Sequence, residues 1–170
     1  LLEGMQAKRN VLLLEGDYPS LNWPFESRGH ATYYLKVTDA LEENIYDRIK
    51  FDNINVLALS LVQWLNGIKV DLEFLKNLKK DFPDLLIIAD GTQFLGTEIF
   101  NFEDSGIDVL GASSYKWLLG GYGNGFMLFA DETPAKFKCR STGFNAADGD
   151  MEGREKVSFA KQFEPGHLDT

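Results

Sequence analysis

The sequence predicts an α/β fold, a mostly parallel sheet covered by helices on both faces. Largely apolar runs of strand length recur at residues 10–14, 54–61, 85–89, 107–112 and 125–130, and runs without regular polar alternation are what strands buried on both sides require. Segments with apolar residues spaced three or four apart separate several of these runs, as amphipathic helices do. A strand can reach a parallel neighbour only by a crossover, so alternating strands and helices imply parallel pairing. In such sheets ligands bind beyond the carboxyl ends of the strands.

Taken in order, residues 10–14 (Asn-Val-Leu-Leu-Leu) are the first buried strand, and Asp17-Tyr-Pro-Ser20 reads as an acidic, aromatic loop that its proline closes. Residues 30–37 alternate β-formers as a second strand. Thr38-Asp39, with Glu42 three residues after the aspartate, offers an N-terminal cap for a helix over 40–50 whose Leu41, Ile45 and Ile49 share one face. Residues 54–61 form the next strand. A second helix begins at Val70-Asp71, turns Leu72, Leu75 and Leu78 inward, gathers Lys76, Lys79 and Lys80 toward its negative end, and stops by Pro83.

The strand 85–89 then delivers Asp90, a short segment near 102–105 intervenes, 107–112 is the strand before Lys116, and 125–130 is a further strand. Beyond it, residues 131–139 read as a short helix, 141–153 as a polar, glycine-rich loop, and 157–163 as a strand.

With 170 residues, 44% of them hydrophobic and 13% aromatic, the chain has the size and apolar content for one domain with its own core. A net charge of −9 with dispersed Lys and Arg argues against nucleic acid or an anionic membrane as the main partner. Cys139 stands alone, which excludes an intrachain disulfide and points to a reducing, cytoplasmic setting. No apolar run approaches membrane-spanning length. The first residues carry neither a leader pattern nor an initiator methionine, and the last stop on turn chemistry, so the chain reads as part of a longer protein.

Two strand ends carry the candidate chemistry. Lys116 lies in Gly111-Ala-Ser-Ser-Tyr-Lys-Trp-Leu-Leu-Gly-Gly-Tyr-Gly-Asn-Gly-Phe126, between a strand end and a glycine-rich turn, 116 − 90 = 26 residues after Asp90. Taken singly, a lysine after a strand is as readily an exposed surface residue, and Asp-Gly-Thr as readily a turn or a helix cap. Together they match what pyridoxal 5′-phosphate needs: an amine for its aldehyde, a carboxylate for its protonated ring nitrogen, and donors for its phosphate. Gln93 is placed to donate to the ring oxygen. The hydroxyls of Ser113, Ser114 and Tyr115, and exposed N–H groups between Gly120 and Gly125, are phosphate candidates.

Four segments resemble the class V aminotransferase and cysteine desulfurase group of fold-type I pyridoxal-phosphate enzymes. They are Ala-Asp-Gly-Thr-Gln93, Ser105-Gly-Ile-Asp-Val-Leu-Gly-Ala-Ser-Ser-Tyr-Lys-Trp117, the glycine turn to Gly125, and Gln162-Phe-Glu-Pro-Gly166. The resemblance covers almost the whole chain. It implies that Lys116 is the Schiff-base lysine, Asp90 the pyridine partner, Gln93 a ring-oxygen ligand and Ser113 a phosphate ligand. It also implies a homodimer with shared sites, an amino-acid substrate, and a chain here that is the central part of the large domain, without the upstream phosphate loop and the downstream small domain. Tyr115, where the group often has histidine, is similar to kynureninases, in which this tyrosine contacts phosphate; Asp-Gly-Thr-Gln93 departs from their Asp-x-x-His. His167 stands where the group brings a threonine to the partner subunit's phosphate, and could donate in its place or be a plain loop histidine. A desulfurase- or kynureninase-type reaction on the same scaffold, and a non-catalytic module, remain rival readings.

Other features have simpler explanations. Trp64 after a buried strand is expected in the core, although the resemblance would let it line the site; Trp23 and Trp117 are expected in the core or at a subunit contact. Cys139 lies well upstream of the sulfur-accepting cysteine of desulfurases and is incidental, while Glu42-Glu43 and the acids of 148–152 are solvated charge.

Overall fold

The computed structural model describes residues 2–5, 7–138, 143, 146 and 158–163. The chain divides into two compact units, Lys8–Thr133 and a second made of Leu1–Ala7 with Pro134–Thr170.

The larger unit holds a six-stranded sheet: β1 (Asn10–Leu14), β2 (Ala31–Leu35), β3 (Val56–Ser60), β4 (Leu86–Asp90), β5 (Val109–Ser113) and β6 (Gly125–Phe129), with α1 (Pro19–Ser27), α2 (Leu41–Phe51) and α3 (Leu72–Asp81) between the early strands. Its order is β2-β1-β3-β4-β5-β6. The first five strands pair in parallel, and β6 runs antiparallel to β5. The predicted class is the observed one.

The direction of winding reverses at β1: the chain steps outward to β2, then crosses to β3 on the other side. Right-handed crossovers therefore place α1 on one face of the sheet and α2 and α3 on the other. The side chains agree. Leu12, Leu14, Leu57, Leu59, Ile87, Ala89 and Leu110 form one cluster with Leu41, Ile45 and Ile49 of α2 and Leu75 and Leu78 of α3. Val11, Leu13, Val56 and Ala58, the alternate positions of β1 and β3, are buried outside that cluster, as is Phe25 of α1. Each such aliphatic side chain contributes about 1.5–3 kcal/mol by leaving water.

Several expectations change. The segment read as a loop closed by Pro19 is instead the start of α1, because proline at the first helical position lacks only an N–H that has no helical partner anyway. Asp39 does not cap α2. The cap residue is Ala40, without a side-chain hydrogen bond, while Glu42 accepts from the Asp71 amide at 3.1 Å, so it is neither a capping-box partner nor merely solvated charge. Asp71 does cap α3, accepting from the Glu73 amide at 2.9 Å.

Residues 131–139 do not form an α-helix: a 3-10 turn covers Thr133–Lys136, and Cys139 lies outside the described residues. In the expected strand over 157–163, Lys161–Phe163 is a 3-10 turn in which the Gln162 amide bonds back to Ser158 and Phe159, taking up the backbone donor a strand would have used. Of the loop expected over 141–153, only residues 143 and 146 are described. In the smaller unit Met5 bridges Phe137 antiparallel, and the Lys138 amide donates to the Gly4 carbonyl at 2.8 Å. A Cβ on Gly4 would lie 2.5 Å from the Lys138 oxygen, so this approach requires glycine.

Candidate active site

The carboxyl ends of β4 and β5 place Asp90 and Lys116 on neighbouring connections. Asp90 is the last residue of β4 and pairs with Gly111, two residues before Ser113 at the end of β5. The chain after β4 turns tightly, with the Phe94 and Leu95 amides both donating to the Gly91 carbonyl at 2.9 and 2.8 Å. One carboxylate oxygen of Asp90 accepts from the Thr92 amide at 2.8 Å, the Asx turn expected of Asp-Gly-Thr. The other oxygen has no hydrogen-bond partner among the described residues. The Thr92 hydroxyl oxygen accepts from the Ser113 amide at 3.1 Å and ties the two strand ends together.

Lys116 is half-buried, and its ammonium has neither a hydrogen bond nor an ion pair among the described residues. Beyond it the Leu119 amide returns to the Lys116 carbonyl at 3.0 Å, with Leu119 left-handed at φ 56°. Leu119 is a non-glycine residue held in a costly conformation beside the lysine. Tyr115 stacks on Tyr122, ring centroids 4.8 Å apart.

Two phosphate candidates are committed elsewhere. The Ser114 hydroxyl donates to the Asn124 carbonyl at 3.1 Å, and the Gly120 amide donates to the Ser114 carbonyl at 2.8 Å. These bonds close the glycine turn on itself. Ser113 is half-buried at the strand end, and His167 lies outside the described residues. The structure thus brings Asp90, Gln93, Ser113, Tyr115 and Lys116 to one end of two adjacent strands.

Trp64 departs from the core placement expected of it, and Trp23 and Trp117 lie outside the core, the first of the two places expected for them. Trp117 is 56% exposed, and its indole N–H donates to the Gln93 side-chain oxygen at 3.1 Å, so it joins the two site loops and does not fill the core. Trp64 is 43% exposed, packs edge-on against Tyr18, and donates to the Gly16 carbonyl at 2.9 Å; Trp23 is also exposed.

Beside Trp64, where the sheet's winding reverses, Asp17 is buried with its carboxylate fully engaged. It accepts from the Ser60 amide at 2.7 Å, the Ser60 hydroxyl at 2.5 Å, the Gln63 amide nitrogen at 3.3 Å and the Tyr18 amide at 2.7 Å. This cross-link between the ends of β1 and β3 sits at the crevice where such sheets place ligands. An acid after a buried strand was its only sequence signal, and a surface loop would have looked the same.

The donor set fits pyridoxal phosphate: a half-buried amine without a partner and a carboxylate with an oxygen to spare among the described residues, an amide and a strand-end hydroxyl on adjoining loops. A mostly parallel open sheet with an amine and a carboxylate at neighbouring carboxyl ends is the arrangement in which α/β proteins place ligands. The model of the aminotransferase class-V family matches residues 5–168, and the chain belongs to that family.

Solved structures share the fold. A cysteine desulfurase from Thermococcus onnurineus NA1 is 19% identical over 96% of this chain and 43% of its own, with a TM-score of 0.81. A variant of C-DES with glycine covalently linked to its pyridoxal-phosphate cofactor is 17% identical over 98% of this chain and 47% of its own, TM-score 0.82. An aspartate aminotransferase of subgroup IV from Thermus thermophilus is 21% identical over 83% and 41%, TM-score 0.68. The chain therefore spans less than half of each of these solved chains. No match was found among curated protein sequences. Among the described residues no helix is long and apolar enough to cross a membrane.

Proposed function

We propose that this chain is the central part of the large domain of a pyridoxal-phosphate-dependent enzyme of the aminotransferase type, acting on an amino acid. The observation that carries the reading is the half-buried Lys116 amine, without a partner among the described residues, on the strand connection next to an Asp90 carboxylate that has one oxygen unengaged by them.

Lys116 would hold the cofactor's aldehyde carbon, Asp90 its protonated ring nitrogen, Gln93 its ring oxygen, and Ser113 and Tyr115 its phosphate, with His167 a further phosphate donor. Bound in this way, the cofactor supplies an electron sink for the substrate's α-carbon. The Asp90 carboxylate would keep the ring nitrogen charged by pairing with it, and the Asx turn to Thr92 fixes the angle of that carboxylate. With substrate bound, the Lys116 amine would be the group in place to take and return the α-proton. Transamination, β-elimination, hydrolytic C–C cleavage and racemisation share these residue roles, and the assignment to the aminotransferase type rests on the family. The full protein is proposed to be a homodimer with shared sites.

The test is a visible spectrum of the full-length protein with pyridoxal phosphate, before and after borohydride, followed by peptide mapping. A reduced adduct on Lys116 is expected; an adduct on any other lysine sinks the assignment. Amino-group transfer from an amino acid to a keto acid separates the aminotransferase reading from the lyase and hydrolase readings.

A further inference from the structure

We infer that Trp117 is a positioning residue: its indole N–H fixes the Gln93 side chain so that the amide nitrogen, rather than the oxygen, is the group offered to the ligand. Side-chain amides present a donor at one end and an acceptor at the other, and the two ends are told apart only by their partners. The indole nitrogen of tryptophan can only donate. The contact at 3.1 Å from Trp117 Nε1 therefore identifies the Gln93 atom as oxygen, and leaves the –NH2 as the end not engaged by Trp117.

The backbone holds the indole where it can do this. Gly96, at the end of the loop that carries Gln93, has φ +96°, and a Cβ there would lie 2.6 Å from the Trp117 carbonyl oxygen and 3.1 Å from the Leu118 nitrogen. Only glycine permits both the dihedral and the approach. The loop of residues 91–96 and the connection that carries Lys116 are thus clasped at the Gln93 side chain, at the Gly96 backbone, and at the Thr92–Ser113 bond.

Gln93 unrestrained could turn its oxygen toward an anionic ligand atom, which would repel it. With the oxygen occupied by the indole, only donation is open, and a donor suits a negatively charged ring oxygen. This inference rests on the pyridoxal-phosphate reading.

The experiment compares the full-length holoenzyme with Trp117→Phe, Gln93→Leu and the double variant, titrating the visible band of the bound cofactor against pH. Trp117→Phe keeps a ring and removes the donor. Donation to the anionic ring oxygen lowers the affinity of the cofactor's chromophore for its proton, so losing that donation moves the midpoint to higher pH. Gln93→Leu is expected to raise the midpoint by on the order of one pH unit. Trp117→Phe is expected to raise it in the same direction, and the double variant to match Gln93→Leu alone, because one substitution acts through the other. A midpoint unmoved by Trp117→Phe while Gln93→Leu shifts it, or shifts that add, would overturn the positioning role and leave the cofactor reading standing. A midpoint unmoved by Gln93→Leu would overturn it as well, by removing Gln93 from the ring oxygen. Absence of any visible band attached to Lys116 would mean instead that the underlying reading had failed.

Discussion

The two ends of β4 and β5 each carry a lysine and an aspartate, and the two pairs differ in what they are bonded to. At the amino end, Lys79 of α3 donates to both oxygens of Asp108 at 2.9 Å and to the Leu85 carbonyl at 2.6 Å. Asp108, buried, also accepts from the Ile87 amide at 2.7 Å. At the carboxyl end, Lys116 has no such partner among the described residues, and Asp90 uses one oxygen on its own turn. A pair that saturates its hydrogen bonds is spent on holding the sheet to its helix. Among the described residues the second pair leaves an amine and a carboxylate oxygen that a ligand can engage. Residue type does not distinguish the two pairs; the partners do.

That contrast predicts opposite phenotypes at the two ends. The largest effect is expected for Lys116→Ala in the full-length protein, with turnover falling roughly 10^2–10^4-fold, the range for a lost acid–base group, and the thermal midpoint unchanged; steady-state kinetics beside a melting curve reads both. Asp90→Asn should follow, with turnover reduced roughly 10^2–10^3-fold and urea unfolding close to that of the parent. Turnover near normal would remove Asp90 from the electron-sink role.

At the other end Asp108→Ala should cost about 3 kcal/mol, because it strands a largely buried ammonium and the Ile87 amide, and equilibrium denaturation measures this. Its effect on turnover per folded molecule should be small, and a large one would erase the distinction between the two ends. Gly96→Ala should cost about 1–3 kcal/mol through its dihedral and its contact with the Trp117 backbone, which the same denaturation experiment reads.

The smallest effect belongs to His30, at the amino end of β2. Burial, then the positive charges of Lys8, Arg28 and Arg9, hold its pKa below the ordinary 6.5, and its Nδ1 accepts from the Arg9 amide at 3.2 Å, which requires that nitrogen unprotonated. The unfolded chain binds the proton more readily than the folded one. Its contribution to stability is therefore complete above the unfolded value of about 6.5 and declines as pH falls from there toward the lower folded value. Unfolding free energies at several pH values should slope accordingly, and His30→Asn, which keeps an acceptor, should flatten the slope.

Much of the fold was legible because the buried strands are unbroken apolar runs. Leu12, Leu57 and Ile87 lie fully buried in such runs, and the helices that cover them show regular apolar spacing. α1 was not legible, because Pro19 and Pro24 in nine residues read locally as breakers; Asn22 and Phe25, buried within it, hold the helix through packing. The antiparallel turn of β6 was also hidden. Its Phe126, Met127 and Leu128 are 39%, 45% and 37% exposed, although the run reads like a strand buried on both faces.

The sequence by itself determined the fold class and brought Asp90, Gln93, Ser113, Tyr115 and Lys116 forward as one group, because apolar periodicity and short motifs are properties of neighbouring residues. Only the tertiary structure decided which lysine and aspartate are satisfied, that Ser114 closes its own loop, that Asp17 cross-links two strands, and that Trp117 bonds to Gln93 across 24 positions of sequence. Hydrogen bonding joins atoms that are close in space, and that closeness exists only once the sheet has brought distant segments side by side.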